Sequence, residues 1–456
     1  MAKCSIFSSR RLRAVSGFTL SLMIFAGCDP ALPPTCQVPE AQSPDLARAR
    51  ESGTVTLGAS NLPGLLFDGN AAIHIATNRV HMAKLEVAQA RADLLPSINL
   101  SAMLLSAGQP QFAWAAVEAV VPFLIPGNWF RAGQVKDLFE AERLALQIVE
   151  QNQYASAFSL ISLWQVDQEL LDIVVDDFEE TRALRRRIEQ AYSLGLTTID
   201  ELNRALAADQ TAEISVAQVR ELLAREEASI RRAFGLKPTT VLQAEAGGFA
   251  VPASASESMA IEALIERAMQ VAPESHQLDL LEAAARKGRW SAAFAFMGGV
   301  GISQQAQDGK LTASLANLSA GGGVQLGFGY FPALRLSSRN IREIQLRRNE
   351  MRLEFQEMLQ GLQAGLSSTG IQSERFAERE RTARSRHEQM KLQVELGLAE
   401  PWELVPIEDA WRQARLDSLR SVAEQGLVRL SLQRTLQEGP FATLSPCLAE
   451  PDKKAP

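Results

Sequence analysis

The sequence predicts a mainly α-helical chain with a smaller β portion, built as two tandem copies of helix, strand, strand, long helix, tip and helix. Three observations carry this. Apolar residues recur at helical spacing without a proline from about residue 130 to 194, and a similar long helix reads from about 337 to 396. Each of these runs ends on a leucine-glycine pair, in "SLGLTTIDEL" (193–202) and "ELGLAEPWEL" (395–404), after which a new helix starts. Strand-length apolar segments precede both runs, at about 97–125 and 291–330.

Composition narrows the function classes. The 456 residues are 46% hydrophobic and 22% charged, with both signs mixed, which excludes a disordered chain and a polytopic helical membrane protein. A net charge of -7 argues against nucleic acid as a partner, since such binders carry a basic face. The first 28 residues hold the membrane-targeting pattern. Lys3, Arg10, Arg11 and Arg13 form a positive region, 14–26 an apolar stretch, and Gly27-Cys28 a small-residue cleavage point, so 1–27 reads as a secretory signal. It is similar to a bacterial lipoprotein signal, which implies lipid on Cys28. Asp29 follows at once, a residue that in some bacteria retains lipoproteins in the inner membrane. With Cys4 removed and Cys28 lipidated, an oxidising compartment allows a disulfide between Cys36 and Cys447.

Residues 28–69 form an N-terminal extension, Pro-rich and tether-like through about Thr54. The first repeat, 70–243, opens with a helix from Asn70 that stops at Pro96. Strand candidates at 97–106 and 112–125 follow, then a helical hairpin over about 130–235. On its return arm Ala212, Val216, Val219 and Leu223 show the 4-3-4 spacing of a coiled-coil seam, and the arm ends at "GLKP". At 1.5 Å per residue the outgoing helix would reach roughly 90 to 100 Å, more than a compact domain needs. A linker at 244–258 leads to the second repeat, 259–438. There a first helix is followed by strand candidates at 291–303 and 318–330, a hairpin over about 337–437 and a tail at 439–456. The repeat offset reads as about 195 at the first helices, where "EVAQARA" aligns with "LEAAARK", and 202 at the tips. The difference falls in the loop between strands.

At the tips, Gly195 and Gly397 suit the left-handed conformation that ends a helix, and Thr198 with Glu201 has the spacing of a capping box. In the second copy Glu403 and Leu404 occupy the places of Glu201 and Leu202. The four strand candidates meet the length a membrane strand needs, and closure by several chains would remove their open edges. A small soluble antiparallel sheet packed on helices is the other reading of the same segments.

These features together resemble the TolC family of outer-membrane efflux proteins. The marks are the lipoprotein-like signal, "AMQVAPESHQLDLLEAAAR", "ARADLLPSINLSA", and the two leucine-glycine hairpins, over nearly all of the mature chain. The resemblance implies a homotrimer whose twelve strands form one outer-membrane β-barrel continued by a periplasmic α-helical barrel. It implies a passive duct of a tripartite efflux or type I secretion system, with no enzymatic activity and no cofactor. The implied partners are a periplasmic adaptor, an inner-membrane pump and outer-membrane lipid. Carried onto this sequence, adaptor contacts would fall at Leu194, Gly195, Leu196, Thr198, Leu202, Leu396, Gly397, Leu398 and Leu404. The family's tunnel constriction matches Glu403. Its next acidic position falls near Pro406 here, so a second acidic ring would come from Glu408 or Asp409. Three carboxylates around a narrow axis favour cations over anions, and helix capping is the plainer role for Glu403.

Nothing else in the sequence points to chemistry. His74 and His81 lie seven apart on one helical face with no third metal ligand evident, and His276 and His387 are scattered. The glycine runs near 298 and 320 lack the strand-turn-helix context of a phosphate loop. The acidic "DDFEE" and basic "RALRRRIEQ" read as one solvated helix face. The competing reading of the whole chain is a lipid-anchored periplasmic coiled-coil scaffold or adaptor.

Overall fold

The computed structural model describes residues 53–59, 61–95, 126–245, 251–294, 305–307, 310–312, 330–399 and 401–444. In chain order these form β1 (Thr54–Leu57), α1 (Leu62–Gly69), α2 (Ala71–Ala92), α3 (Pro126–Ser193), α4 (Ile199–Ala233) and β2 (Val241–Ala244). A short 3-10 turn (Ala255–Ser258) precedes α5 (Ile261–Val271), α6 (Pro273–Phe294), β3 (Gln305–Gln307), β4 (Lys310–Thr312), α7 (Tyr330–Glu395), α8 (Pro401–Leu436) and α9 (Pro440–Thr443). The signal, Cys28, Cys36, Cys447 and the strand candidates at 97–125, 295–303 and 318–329 lie outside the described residues.

The long hairpins α3–α4 and α7–α8 follow the periodicity of the sequence. α3 runs for 68 residues and α7 for 66, with the coiled-coil seam of α4 turned inward at Ala212, Val216 and Leu223. α2 starts because the Asn70 side chain accepts hydrogen bonds from the backbone N–H of Ala72 (2.9 Å) and Ile73 (3.2 Å). The same side chain donates to Gln153 Oε1 and to the Ala233 carbonyl, so one buried asparagine joins α2, α3 and α4.

Four expectations are corrected. The repeat offset is 202 at the first helices as well as at the tips. α2 and α6 are each 22 residues long, opening at Ala71 and Pro273 and closing at Ala92 and Phe294. A shift of seven residues, two helical turns, returns each alanine close to the same face and so matches almost as well. Second, Ser291 to Phe294 continue α6 and Tyr330 opens α7, where the ends of strands were expected. "SAAF" suits either period; the helix buries Ser291, whose hydroxyl donates to the Gly127 carbonyl at 3.0 Å. Third, β3 and β4 form an antiparallel pair within the segment expected to be only a connecting loop. Fourth, the described parts of the extension, 53–59 and 61–69, and of the tail, 439–444, are built into the body. β1 pairs in parallel with β2 from Thr54↔Val241 to Leu57↔Ala244, and Leu57, Leu62, Leu66 and Phe441 are fully buried. Non-local pairing of this kind leaves no periodic signal in so short a segment.

The main core surrounds β1–β2, where Tyr154, Phe158, Ile161 and Trp164 of α3 meet Ile230 of α4 and Phe441 of α9. A smaller cluster packs Leu264 and Ala268 of α5 against Phe355 and Leu359 of α7 and Leu432 and Leu436 of α8. The two return arms end alike but with different residues. Gly235 (φ 60) closes α4, while Gln437 (φ 55), 202 residues on, closes α8 in the same left-handed turn. That conformation costs a non-glycine residue about 1–2 kcal/mol. Gln437 is held there by a reciprocal amide pair with the buried Gln151 of α3, at 2.5 and 3.0 Å. Gly235 is needed for a second reason, since a Cβ there would come within 2.5 Å of the Gly69 carbonyl oxygen.

Candidate functional site

The two tips are the same turn made twice. At the first, the Leu196 N–H donates to the Ala191 carbonyl (2.9 Å) and the Gly195 N–H to the Tyr192 carbonyl (2.9 Å). At the second, Leu398 donates to Gln393 (2.8 Å) and Gly397 to Val394 (3.0 Å). Both glycines are left-handed, at φ 72 and 69, and an added Cβ would meet nothing within 4 Å at either. Glycine is therefore required for backbone angle and not for space. In α4 the Thr198 hydroxyl accepts from the Glu201 N–H and the Glu201 carboxylate accepts from the Thr198 N–H, each at 3.3 Å. This capping box starts the return arm one residue after the turn.

Such tight turns leave their side chains outside. Leu194, Leu196, Leu396 and Leu398 are 73%, 77%, 64% and 75% exposed, whereas Leu202 and Leu404 are half-buried under the turns. Four exposed leucines held on capped helix ends form two rigid apolar knobs per chain. Water gains by their burial, at about 25 cal/mol per Å² of apolar surface.

The three acids expected near a constriction separate. Glu403 lies with Pro406 and Ile407 of α8 along an open groove of roughly 670 Å³, walled on the α7 side by Arg375, Arg379 and Arg386. Pro406 interrupts the hydrogen bonding of α8 by its missing N–H. Glu408 faces the other way, buried against α3, and Asp409 is 62% exposed on its side chain.

Glu408 belongs to an ion cluster centred on Arg412, which is itself buried. The guanidinium contacts Glu408 (2.7 Å) and Asp409 (3.3 Å) of α8, and Glu180 (2.7 Å) and Asp177 of α3. His387 of α7 stands 3.7 Å from Glu408 and stacks on Trp411, ring centroids 4.9 Å apart. Burial and a shared hydrogen bond with Glu180 push the Glu408 carboxyl up to about 8. The bond from Glu408 holds Glu180 below its usual range, and burial pushes Asp177 up and His387 down. The opposite directions of the two shifts correspond to a shared hydrogen bond in which Glu408 is the donor and the Glu180 carboxylate the acceptor. The cluster ties the first hairpin to the second.

Within "DDFEE" Asp176, Glu179 and Glu180 are exposed as expected of a solvated face, and only Asp177 is partly buried, against Arg412; His387 is not an isolated residue. The one local signal for the cluster is the i,i+4 spacing of Glu408 and Arg412; its partners on α3 are more than 230 positions away. The Nε2 of His74 lies 3.3 Å from the Asp68 carbonyl oxygen. Among the described residues no group of three His, Cys, Asp or Glu side chains stands ready for a metal ion.

No protein-family model and no curated protein matches the sequence. Solved structures do. The chain is similar to the outer-membrane channel OprN, with a TM-score of 0.60 at 14% identity over 84% of this chain and 90% of that one. It is similar to the CmeC outer-membrane channel of Campylobacter jejuni, with a TM-score of 0.59 at 10% identity over 84% and 88%. For the outer-membrane protein VceC of Vibrio cholerae the TM-score is 0.55 at 13% identity over 84% and 96%. The chain therefore has the mainly helical, long-hairpin fold of outer-membrane channels.

Proposed function

We propose, from this shared fold, that the chain is one protomer of a trimeric outer-membrane duct of the TolC family, the passive exit channel of a tripartite efflux or type I secretion system. The observation that carries the reading is the pattern of open helix edges. Towards the strands the helices lie side by side in the order α2, α3, α6, α7; towards the tips the order is α4, α3, α8, α7. Each chain is thus a wall four helices wide whose two edges differ. The α2 edge leaves Ile75, Met82 and Leu85 exposed, and the α7 edge leaves Leu346 and Leu353. Their spacings of seven, three and seven are those of coiled-coil seams lacking a partner helix. Unlike edges join head to tail, and a head-to-tail contact that closes makes a ring.

Three copies would bring twelve strands together as one barrel and continue the walls as a tunnel. The leucine knobs at the tips would receive the helical hairpins of a periplasmic adaptor attached to an inner-membrane pump. Glu403, with its carboxylate on the groove near the tip, is the acid best placed to form a ring of three at the tunnel mouth, and Asp409 is the second. Glu408, buried against α3, is the acid least suited to that role. Lipid on Cys28 would tether the extension to the same membrane, with the Cys36–Cys447 pair closing the ends. The duct needs no catalytic group.

The decisive experiment is membrane fractionation of the full chain followed by gel electrophoresis without heating. Recovery with the outer membrane as a heat-dissociable trimer is expected. Recovery only with the inner membrane, or as a monomer without detergent, would favour the scaffold reading.

A further inference from the structure

At their strand-facing ends α2, α3, α6 and α7 stop at one level. Arg131 of α3 reaches Asp93 just past α2, the Ser291 hydroxyl of α6 reaches the Gly127 carbonyl of α3, and Glu282 of α6 faces Gln345 and Arg348 of α7. Antiparallel helices in that register bring Arg289 beside the first turns of α7. Within 84–95, 126–137, 283–294 and 331–342, ten residues are Lys or Arg and three are Asp or Glu, on a chain whose net charge is -7. The excess is exposed: Arg289, Arg335, Arg339 and Arg342 all face solvent. Aromatic rings share the level. Phe130 stacks on Phe294 (5.7 Å, 1° between planes) and on Trp290 (6.2 Å, 27°), while Trp129 and Trp290 remain 58% and 55% exposed.

We infer that this basic and aromatic band, with Trp129, Trp290, Arg289, Arg335 and Arg339 at its centre, seats on the anionic phospholipid headgroups of the leaflet facing the periplasm. The inference rests on the outer-membrane channel reading, and it names the lipid chemistry that reading leaves open. Indole rings have an apolar body and one N–H donor, which suits the boundary between acyl chains and headgroups. Arginine offers a planar fork of donors to phosphate. Clustered cations at a membrane surface select anionic over zwitterionic lipid. The position agrees: the band lies where the helices give way to the segments that would cross the bilayer.

The test uses the full chain reconstituted in vesicles of phosphatidylcholine, with and without phosphatidylglycerol, carrying bromine on the acyl carbons nearest the headgroup. Bromine should quench a part of the tryptophan emission that is lost when Trp129→Phe and Trp290→Phe are combined; phenylalanine keeps the ring stack and so the fold. Native mass spectrometry should find phosphatidylglycerol retained in preference to phosphatidylcholine. The combined Arg289→Gln, Arg335→Gln and Arg339→Gln variant should lose that preference by about tenfold or more. Quenching of these tryptophans by aqueous acrylamide but not by brominated lipid would place the band in the tunnel and overturn the proposal. So would an unchanged lipid preference in the arginine variant. Failure of the chain to float with any vesicle would instead overturn the channel reading itself.

Discussion

At the scale of single residues, the tip glycines and the Arg412 cluster make opposite demands. Gly195 and Gly397 have open space where a side chain would stand, so substitution acts through backbone angle alone. Gly195→Ala should destabilise its hairpin by about 1–2 kcal/mol, the penalty for a left-handed alanine, without altering packing. Thermal unfolding of the single and double alanine variants would measure it, and the two losses should add because at neither glycine would the new Cβ meet another group. Arg412 is the reverse case, since everything depends on what surrounds it. For Glu408 the folded value near 8 lies above the ordinary 4.5, so folding favours its protonated form. The stability this contributes is complete below pH 4.5 and is lost as pH rises through about 8. Glu408→Gln imitates the protonated acid. It should flatten the dependence of melting temperature on pH between about 4.5 and 8 while leaving the acid side unchanged. A slope equal to that of the unsubstituted protein would contradict the assignment of the proton to Glu408.

At the scale of elements, each hairpin can be derived from its own sequence. The left-handed glycine stops the outgoing helix, and Thr198 with Glu201 starts the return in α4. What a hairpin presents is also local: a turn this tight cannot cover the leucines beside its glycine. Leu196→Asp and Leu398→Asp together should therefore leave the proposed trimer and its melting temperature unchanged, because both side chains are exposed on the protomer, and should reduce export by an order of magnitude or more if the knobs meet an adaptor. Drug susceptibility of cells carrying the variant, with trimer content measured alongside, would read both quantities. The helices near the strands were less legible. Small residues such as those of "SAAF" satisfy helical and strand periods alike, and a slip of two turns preserves the face of an alanine-rich helix, so periodicity alone does not fix the offset of the first helices.

At the scale of the whole molecule, the described helices lie side by side in a layer with two unlike edges. Among the described residues Met82 and Leu85 on α2 and Leu346 and Leu353 on α7 remain more than half exposed. Leu85→Glu or Leu353→Glu should each leave the protomer folded by circular dichroism and shift the detergent-solubilised protein from trimer towards monomer. Combining one variant chain with an unsubstituted one should restore contact at only those edges where both partners remain apolar. The ties across the two repeats act at this scale as well. The Gln151–Gln437 amide pair and the Arg412 cluster both join the first hairpin to the second.

The sequence by itself determined the duplication, the long hairpins, the two tips and the exposed leucines there. All of these rest on interactions within a few residues: helical periodicity, a left-handed glycine, a capping box. Only the tertiary structure decided which acids are buried, which edges stay open, and that the extension and tail join the core. Arg412 meets Asp177 and Glu180, β1 meets β2, and Gln437 meets Gln151 across separations of roughly two hundred residues or more. Contacts between groups so far apart are fixed by how the elements pack, and a short stretch of sequence carries no trace of its distant partner.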